Sequence, residues 1–396
     1  MNEWKEYTVQ YLIDQGMLAE PMDGNHGSIH PKSSDYVSEG VPFIMANDLV
    51  NGVVDLINCS FISEKQAKTL KKGFAHPNDV LLTHKATIGR TAIVPNKYET
   101  IILTPQVTYY RVLKGIDNRY LKYYFDSDFF QNTLRNWAGS GSTRAYIGIT
   151  AQRKLPIILP PLNVQTKIAT VLSLLDEKIS LNTAINENLE QQAQAIYAQM
   201  FIESAEESWE TGSLSDISVI TMGQSPKGDT FNETGEGAVF YQGRTDFGFR
   251  FPTRRLYTTE PKRIAMCGDA LMSVRAPVGD LNVAYEECCI GRGLAAIHSK
   301  DNHQSFVLYT LFTLKKQLDV FNGEGTVFGS INKESLNSME ITIPPMELMD
   351  RFESIVSPID RSIRNNYEEI CRLQAIRDTL LPKLMSGEID VSEVKI

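Results

Sequence analysis

Two long heptad-patterned segments, repeated at a constant offset of 184 residues, constrain this chain more than any other feature. Each follows a proline pair, Pro160–Pro161 and Pro344–Pro345, which ends an apolar run and precedes a first helical turn. The first segment puts Ile168, Leu175, Asn182, Leu189 and Ile196 at one heptad position, and Leu172, Ile179, Asn186, Ala193 and Met200 at its companion. The offset carries these onto Phe352, Ile359, Asn366, Leu373 and Leu380, and onto Val356, Ile363, Ile370, Arg377 and Leu384. A pattern sustained over about four to five heptads predicts a coiled coil, with Asn182 and Asn366 on the seam fixing its register. Pro358 is expected to kink or delay the second helix, and Gly387 to stop it.

The flanking sequence repeats less strictly. NDVLLTHKATIG (Asn78 to Gly89) matches GDALMSVRAPVG (Gly268 to Gly279) at an offset of 190, and Trp4 matches Trp209 at 205. The offset thus drifts through 205, 197, 190 and 184, while the helices hold one register. Two copies of one supersecondary unit imply a pseudo-two-fold molecule, suited to a partner with two-fold character such as duplex DNA. Closure of that symmetry requires antiparallel helices, which at this length would hold the two domains about 50–60 Å apart.

Within each copy, short β-branched and aromatic runs (VPFIM, DVLLT, TAIVP, TIILT and VTYYRV; then AVFYQ, DALMSV and GLAAIH) predict strands. One helical stretch follows in each, NRYLKYYFDSDFFQNTLRNW and SFVLYTLFTLKKQLDVF, and then a glycine-bearing loop. The fold class is α+β: two pseudo-symmetric α/β domains separated by an antiparallel coiled coil of two long helices. The loops GSGSTR and GEGTVFG match neither a Walker loop nor a dinucleotide fingerprint.

The net charge of −9 argues at first against nucleic acid, but residues 163–210 and 346–396 carry −6 and −3 of it, leaving the remainder neutral. Within that remainder, Lys65, Lys68, Lys71, Lys72, Lys85 and Arg90 cluster in sequence, as do Arg244, Arg250, Arg254, Arg255, Lys262 and Arg263. Acidic helices beside basic patches suit a DNA binder whose helices face another protein. No apolar run approaches the roughly 18 residues of a membrane helix, and the start lacks a secretory pattern, so the cytoplasm is expected. Cys59, Cys267, Cys288, Cys289 and Cys371 form no CxxC pair and are expected to be reduced packing residues.

Catalytic patterns are missing from the sequence. The proline pairs read LPPL and IPPM, not the Asp/Asn-Pro-Pro-aromatic loop of an adenine methyltransferase. His26 and His30 lie in DGNHGSIHP, where glycine and proline forbid the helix that would bring both onto one metal, so no metal site is expected. His84 has no evident nucleophile or carboxylate partner in sequence, which favours binding or structure over catalysis.

The duplicated unit, the paired helices and the segment SVRAPVGDLNVAYEECCIGRGLAAI (Ser273 to Ile297) resemble the specificity (S) subunits of type I restriction–modification systems. The resemblance covers nearly the whole chain. The Glu-Gln usual after the prolines is half kept as Gln165 and is replaced by Leu348 and Met349 in the second copy. It implies target-recognition domains at 1–160 and 206–343, conserved spacer helices at 161–205 and 344–388, and a tail at 389–396. Each recognition domain would read one half of a bipartite, asymmetric DNA site. The helices would set the gap and dock two modification subunits, which methylate adenine at N6 with S-adenosylmethionine. Restriction subunits using ATP and Mg would join them, so this chain would bind no cofactor itself.

Candidate DNA contacts in the first domain are His84, Lys85, Thr87 and Arg90, with Ser142, Thr143 and Arg144 in the loop. In the second they are Gln242, Arg244, Arg250, Arg254, Arg275 and Arg292. Arginine suits guanine bidentately, glutamine suits adenine, and lysine or threonine suits phosphate or either base. The domains differ at most of these positions, so the half-sites should differ. Two other classes remain open: a self-contained methyltransferase or nuclease, and a scaffold whose helices only assemble proteins.

Overall fold

The computed structural model describes residues 4–139, 145–323, 329–391 and 394. The chain divides into two compact units, one comprising Met1–Leu181 with Glu369–Ile396 and the other Asn182–Glu368. Each unit builds the same three sheets. In the first unit a four-stranded sheet runs Thr87–Ile93, Val80–Lys85, Val107–Tyr110, Met22–Asp23. A five-stranded sheet runs Tyr36–Val37, Ser60–Ile62, Val41–Ile44, Ile101–Leu103, Phe74–Ala75, and Lys5–Thr8 pairs with Pro156–Leu159. The second unit repeats this order: Leu281–Val283, Ala270–Ser273, Leu294–Ser299, Ser218–Met222; then Phe231–Asn232, Leu256–Thr258, Ala238–Tyr241, Cys288–Ile290, Ile264–Ala265; and Glu210–Ser213 with Glu340–Ile343.

The apolar run Val80–Leu82 that opens the strand Val80–Lys85 follows from burial on both faces. Val80 and Leu82 enter a core with Tyr120, Leu121 and Phe125, while Leu81 enters a second core with Ile101 and Leu103. Ala270 and Met272 against Leu271 divide in the same way between the two cores of the second unit. The stretch expected as one helix in the first copy is two, Asn118–Asp126 and Asp128–Trp137. Ser127 between them is extended and its hydroxyl accepts the Phe130 amide at 3.4 Å, so a new N-cap interrupts the apolar period. Its counterpart likewise divides into Gln304–Thr313 and Lys315–Asp319. Cys59, Cys288 and Cys289 pack inside as expected, whereas Cys267 and Cys371 are exposed.

The long helices span Leu162–Ala198 and Met346–Met385. Pro358 does not delay the second one. It lies on an exposed face where the carbonyl it leaves unbonded, that of exposed Ser354, meets solvent. In each unit, early residues of one helix meet late residues of the other, so the two run antiparallel there. In the first unit Ile168 and Leu172 share a core with Leu380 and Leu384, and Arg377 Nη1 lies 3.0 Å from Asp176. In the second, Ala193 and Tyr197 pack with Phe352 and Val356. There Asn366 Nδ2 donates to Asn186 Oδ1 at 2.8 Å, and Asn186 Nδ2 to the Ile363 carbonyl at 3.2 Å. The asparagine paired with Asn366 is therefore the companion-position Asn186. Asn182 and Ile363 are buried, while Leu175, Ile179, Leu189, Ile196, Ile359, Leu373 and Leu380 are partly covered.

Arg250, expected at the DNA, is instead 4% exposed. Its guanidinium is held by Asp360, by Glu190 at 3.1 Å and by the Tyr309 hydroxyl at 2.8 Å. The sequence cluster hid this role because both carboxylates come from the long helices, far along the chain. Burial pushes the Glu190 carboxyl above its ordinary range, with Arg250 opposing the shift. Arg250→Met should cost about 3 kcal/mol by leaving two partly buried carboxylates uncompensated, and adding Glu190→Gln with Asp360→Asn should restore most of it. Without Arg250 the folded-state pKa of Glu190 rises further, so the folded state binds more protons than the unfolded state as pH falls. The penalty should therefore be larger at pH 7 than at pH 4.5 in urea denaturation of the variant and parent.

Candidate nucleic-acid interface

The two units place a matching backbone platform at the end of the four-stranded sheet. His84 N donates to Gln106 O at 2.9 Å, and Val274 N donates to Gly293 O at the same distance. Ile147 N then reaches His84 O at 3.0 Å, as Ile331 N reaches Val274 O at 3.0 Å. Ala86 N bonds Ala145 O at 3.1 Å, matched by Ala276 N and Gly329 O at 3.0 Å. Glycine closes both platforms: a Cβ on Gly24 would lie 1.9 Å from Leu103 O, and one on Gly223 would lie 2.1 Å from Gly291 O.

The side chains on this common frame differ. In the first unit His84 is 1% exposed and lies beneath the platform. Its Nδ1 is 3.0 Å from the Ile147 carbonyl, so that nitrogen carries the proton, and Nε2 stands 4.0 Å from Asp23 Oδ2. Burial lowers the His84 pKa, outweighing the attraction of Asp23. Burial would raise the Asp23 carboxyl, but hydrogen bonds from Lys72 and His26 outweigh it and hold the carboxyl below its ordinary range. The half-buried Lys85 sets its ammonium 5.9 Å from the ring of Tyr146, which is 49% exposed and packs on the His84 ring. Thr87 is half-buried, and Arg90 is exposed but directs Nη1 to the Ala46 and Leu49 carbonyls at 3.3 and 3.4 Å. Ser142, Thr143 and Arg144 lie outside the described residues.

In the second unit the sequence cluster of arginines is largely neutralised in space. Arg244 pairs with Asp280 at 2.9 Å, Arg254 with Glu286 and Arg255 with Asp246 at 3.0 Å. An exposed basic patch was expected here, but Asp280 and Glu286 from farther along the chain and Asp246 within it close most of it. Gln242, Arg275 and Arg292 are exposed, and among the described residues neither Arg275 nor Arg292 has a side-chain hydrogen bond or ion pair. The structure thus brings together Gln242, Arg275 and Arg292 in one unit and His84, Lys85 and Thr87 in the other. It sets Arg250 apart.

Sequence reasoning missed Asp23 and Tyr146, and named His26 and Lys72 without the carboxylate they share. Tyr146 was accessible, since it and Ser330 both precede an isoleucine at the offset of 184. Asp23 with Lys72 was not, because their contact joins residues 49 apart on unlike elements.

A family model described as the type I restriction modification DNA specificity domain matches twice, over residues 18–191 and 206–373. The chain is 30% identical over 376 residues to a protein described as a putative type I restriction enzyme MjaX specificity subunit, from Methanocaldococcus jannaschii, covering 89% of this chain and 88% of that one. It is 25% identical to the MjaIX specificity subunit of the same organism, over 98% of this chain and 95% of that one. Its fold is shared with the type I restriction–modification S subunit from M. genitalium, at a TM-score of 0.60 and 17% identity over 96% of each chain. Two family domains, two equivalent platforms and near-complete coverage agree: the chain belongs to the type I restriction–modification DNA specificity family.

Proposed function

We propose that this chain is the non-catalytic recognition subunit of a type I restriction–modification enzyme, each unit reading one half of a bipartite, asymmetric DNA site. The observation that carries this reading is the repeated platform. One ladder of backbone hydrogen bonds presents Lys85 and Tyr146 in one unit and Arg275 and Ser330 in the other. Equal frames with unequal side chains suit a duplex whose two half-sites differ in sequence. Residues 1–160 and 206–343 serve as the target-recognition domains, and 389–396 as a tail. The helices of 161–205 and 344–388 form an antiparallel coiled coil that sets the gap and docks two modification subunits, with restriction subunits joining through them. S-adenosylmethionine then belongs to the modification subunits, and ATP with Mg to the restriction subunits. The complex works in the cytoplasm on double-stranded DNA, with no membrane partner.

Labelled S-adenosylmethionine and DNA give the first check. The purified chain should transfer no methyl group alone, and should direct adenine methylation at a bipartite motif once its modification subunits are added. Methyl transfer by the chain alone would make it an enzyme, and a footprint of the assembled complex without sequence preference would make it a scaffold.

The spacer gives a second. One heptad added to each long helix lengthens it by about 10 Å, close to 3 bp of duplex. The methylated motif should widen by about 3 bp while both half-sites keep their sequence; an unchanged gap would remove the spacer role.

A further inference from the structure

We infer that Arg275 and Arg292 form a paired guanine reader that sets the specificity of the second unit's half-site. The inference rests on the proposed DNA-recognition role and adds its chemistry. Ala270–Ser273 pairs antiparallel with Leu294–Ser299, setting Ser273 across from Leu294, and Val274 N bonds Gly293 O. That bond leaves Arg275 and Arg292 next to it on the two segments, Arg292 in the tight turn that Leu294 N closes onto Gly291 O at 3.0 Å. Like charges on neighbouring segments repel, and an ordinary surface would separate or neutralise them. Here the neighbouring arginines show how readily this unit supplies carboxylates, to Arg244, Arg254 and Arg255 alike. This pair receives none among the described residues.

The surrounding backbone keeps both guanidinium groups open. Arg292 sits between Gly291 and Gly293, where Cβ atoms would come within 3.0 Å of Gln242 Cα and 2.8 Å of Gln242 O. The glycines thus admit the Gln242 strand end beside Arg292, and Ser225 Oγ fixes the Arg292 amide at 3.3 Å. On the far side, Arg275 bridges Ser330, a small residue where the first unit has the large ring of Tyr146. Two planar forks without partners among the described residues, one in the Gly291–Leu294 turn and one just past Ala270–Ser273, match the O6 and N7 acceptors of guanine, which accept arginine bidentately in the major groove. In the first unit the corresponding positions are Lys85 and Pro105, so that half-site is read by different chemistry.

Lysine substitution separates base reading from phosphate binding, because it keeps the charge and removes the fork. Arg275→Lys and Arg292→Lys are each assembled, as full chains, with the modification subunits, and methylated sites are mapped by sequencing. Each variant should lose about 10- to 100-fold of its preference for guanine at one position of one half-site. The other half-site, read by the first unit, should stay intact and so reports that the chain has folded and assembled. A motif unchanged in both lysine variants, or a parent motif with no guanine in the affected half-site, overturns the inference. So does uniform weakening in Arg275→Gln and Arg292→Gln, with the salt slope reduced by about one per residue and the motif kept, since that marks phosphate contact alone. A parent complex that methylates without any bipartite motif would instead overturn the recognition role itself.

Discussion

Two aspartates at equivalent points of the long helices fasten the rest of each unit. Tyr123 donates its hydroxyl to Asp176 at 2.6 Å, and Tyr309 donates to Asp360 at 3.0 Å. The aspartates are 184 residues apart and the tyrosines 186, so the duplication kept this joint while the sequence between drifted. A hydrogen bond to a carboxylate is roughly twice as strong as a neutral one, and its fixed point on the helix defines where the sheets sit along it. Moving the aspartate one helical turn would shift that point by about 5 Å, more than a base pair of duplex. The cation completing each joint differs: Lys122 and Arg377 approach Asp176, whereas Arg250 approaches Asp360. The geometry is thus held in common, and the charge compensation was found separately in each copy.

That division of labour recurs at the platform. Backbone hydrogen bonds there match between the units to about 0.1 Å, yet His84 stands where Val274 does and Tyr146 where Ser330 does. Near the buried His84, Lys72 and His26 hydrogen-bond the Asp23 carboxylate, so the first unit carries a polar network beneath its surface. The second unit has an apolar residue at the His84 position and sets its charge on the surface, as Arg275 and Arg292. Because the ladder does not depend on side-chain identity, these positions can change without disturbing the strands that hold them.

The helices were the most legible part of the sequence, since their heptads and proline entries are local signals that packing reinforces. The strands were legible for the same reason: the strand Val80–Lys85 opens on the apolar run Val80–Leu82 because both its faces are buried. The break at Ser127 was harder to see, because an N-cap inside an aromatic run leaves the hydrophobic period almost intact. Charge was the least legible property. Arg244, Arg250, Arg254 and Arg255 read as one basic patch, yet their partners Asp280, Glu190, Asp360, Glu286 and Asp246 arrive mainly from other elements. Ion pairs are set by tertiary contact, and a linear count of charges cannot anticipate them.

The same neutralisation bears on how an acidic chain can recognise DNA at all. Non-specific affinity grows with the number of phosphates that cations neutralise, and a surface whose arginines are already paired supplies few. Carboxylates close most of the second unit's cationic run, which leaves that unit little attraction for DNA of arbitrary sequence. A guanidinium without a partner among the described residues, such as that of Arg275, keeps its donor set for a base edge. Weak general affinity combined with a few uncompensated donors raises the ratio of specific to non-specific binding, the quantity that matters among a genome's competing sites.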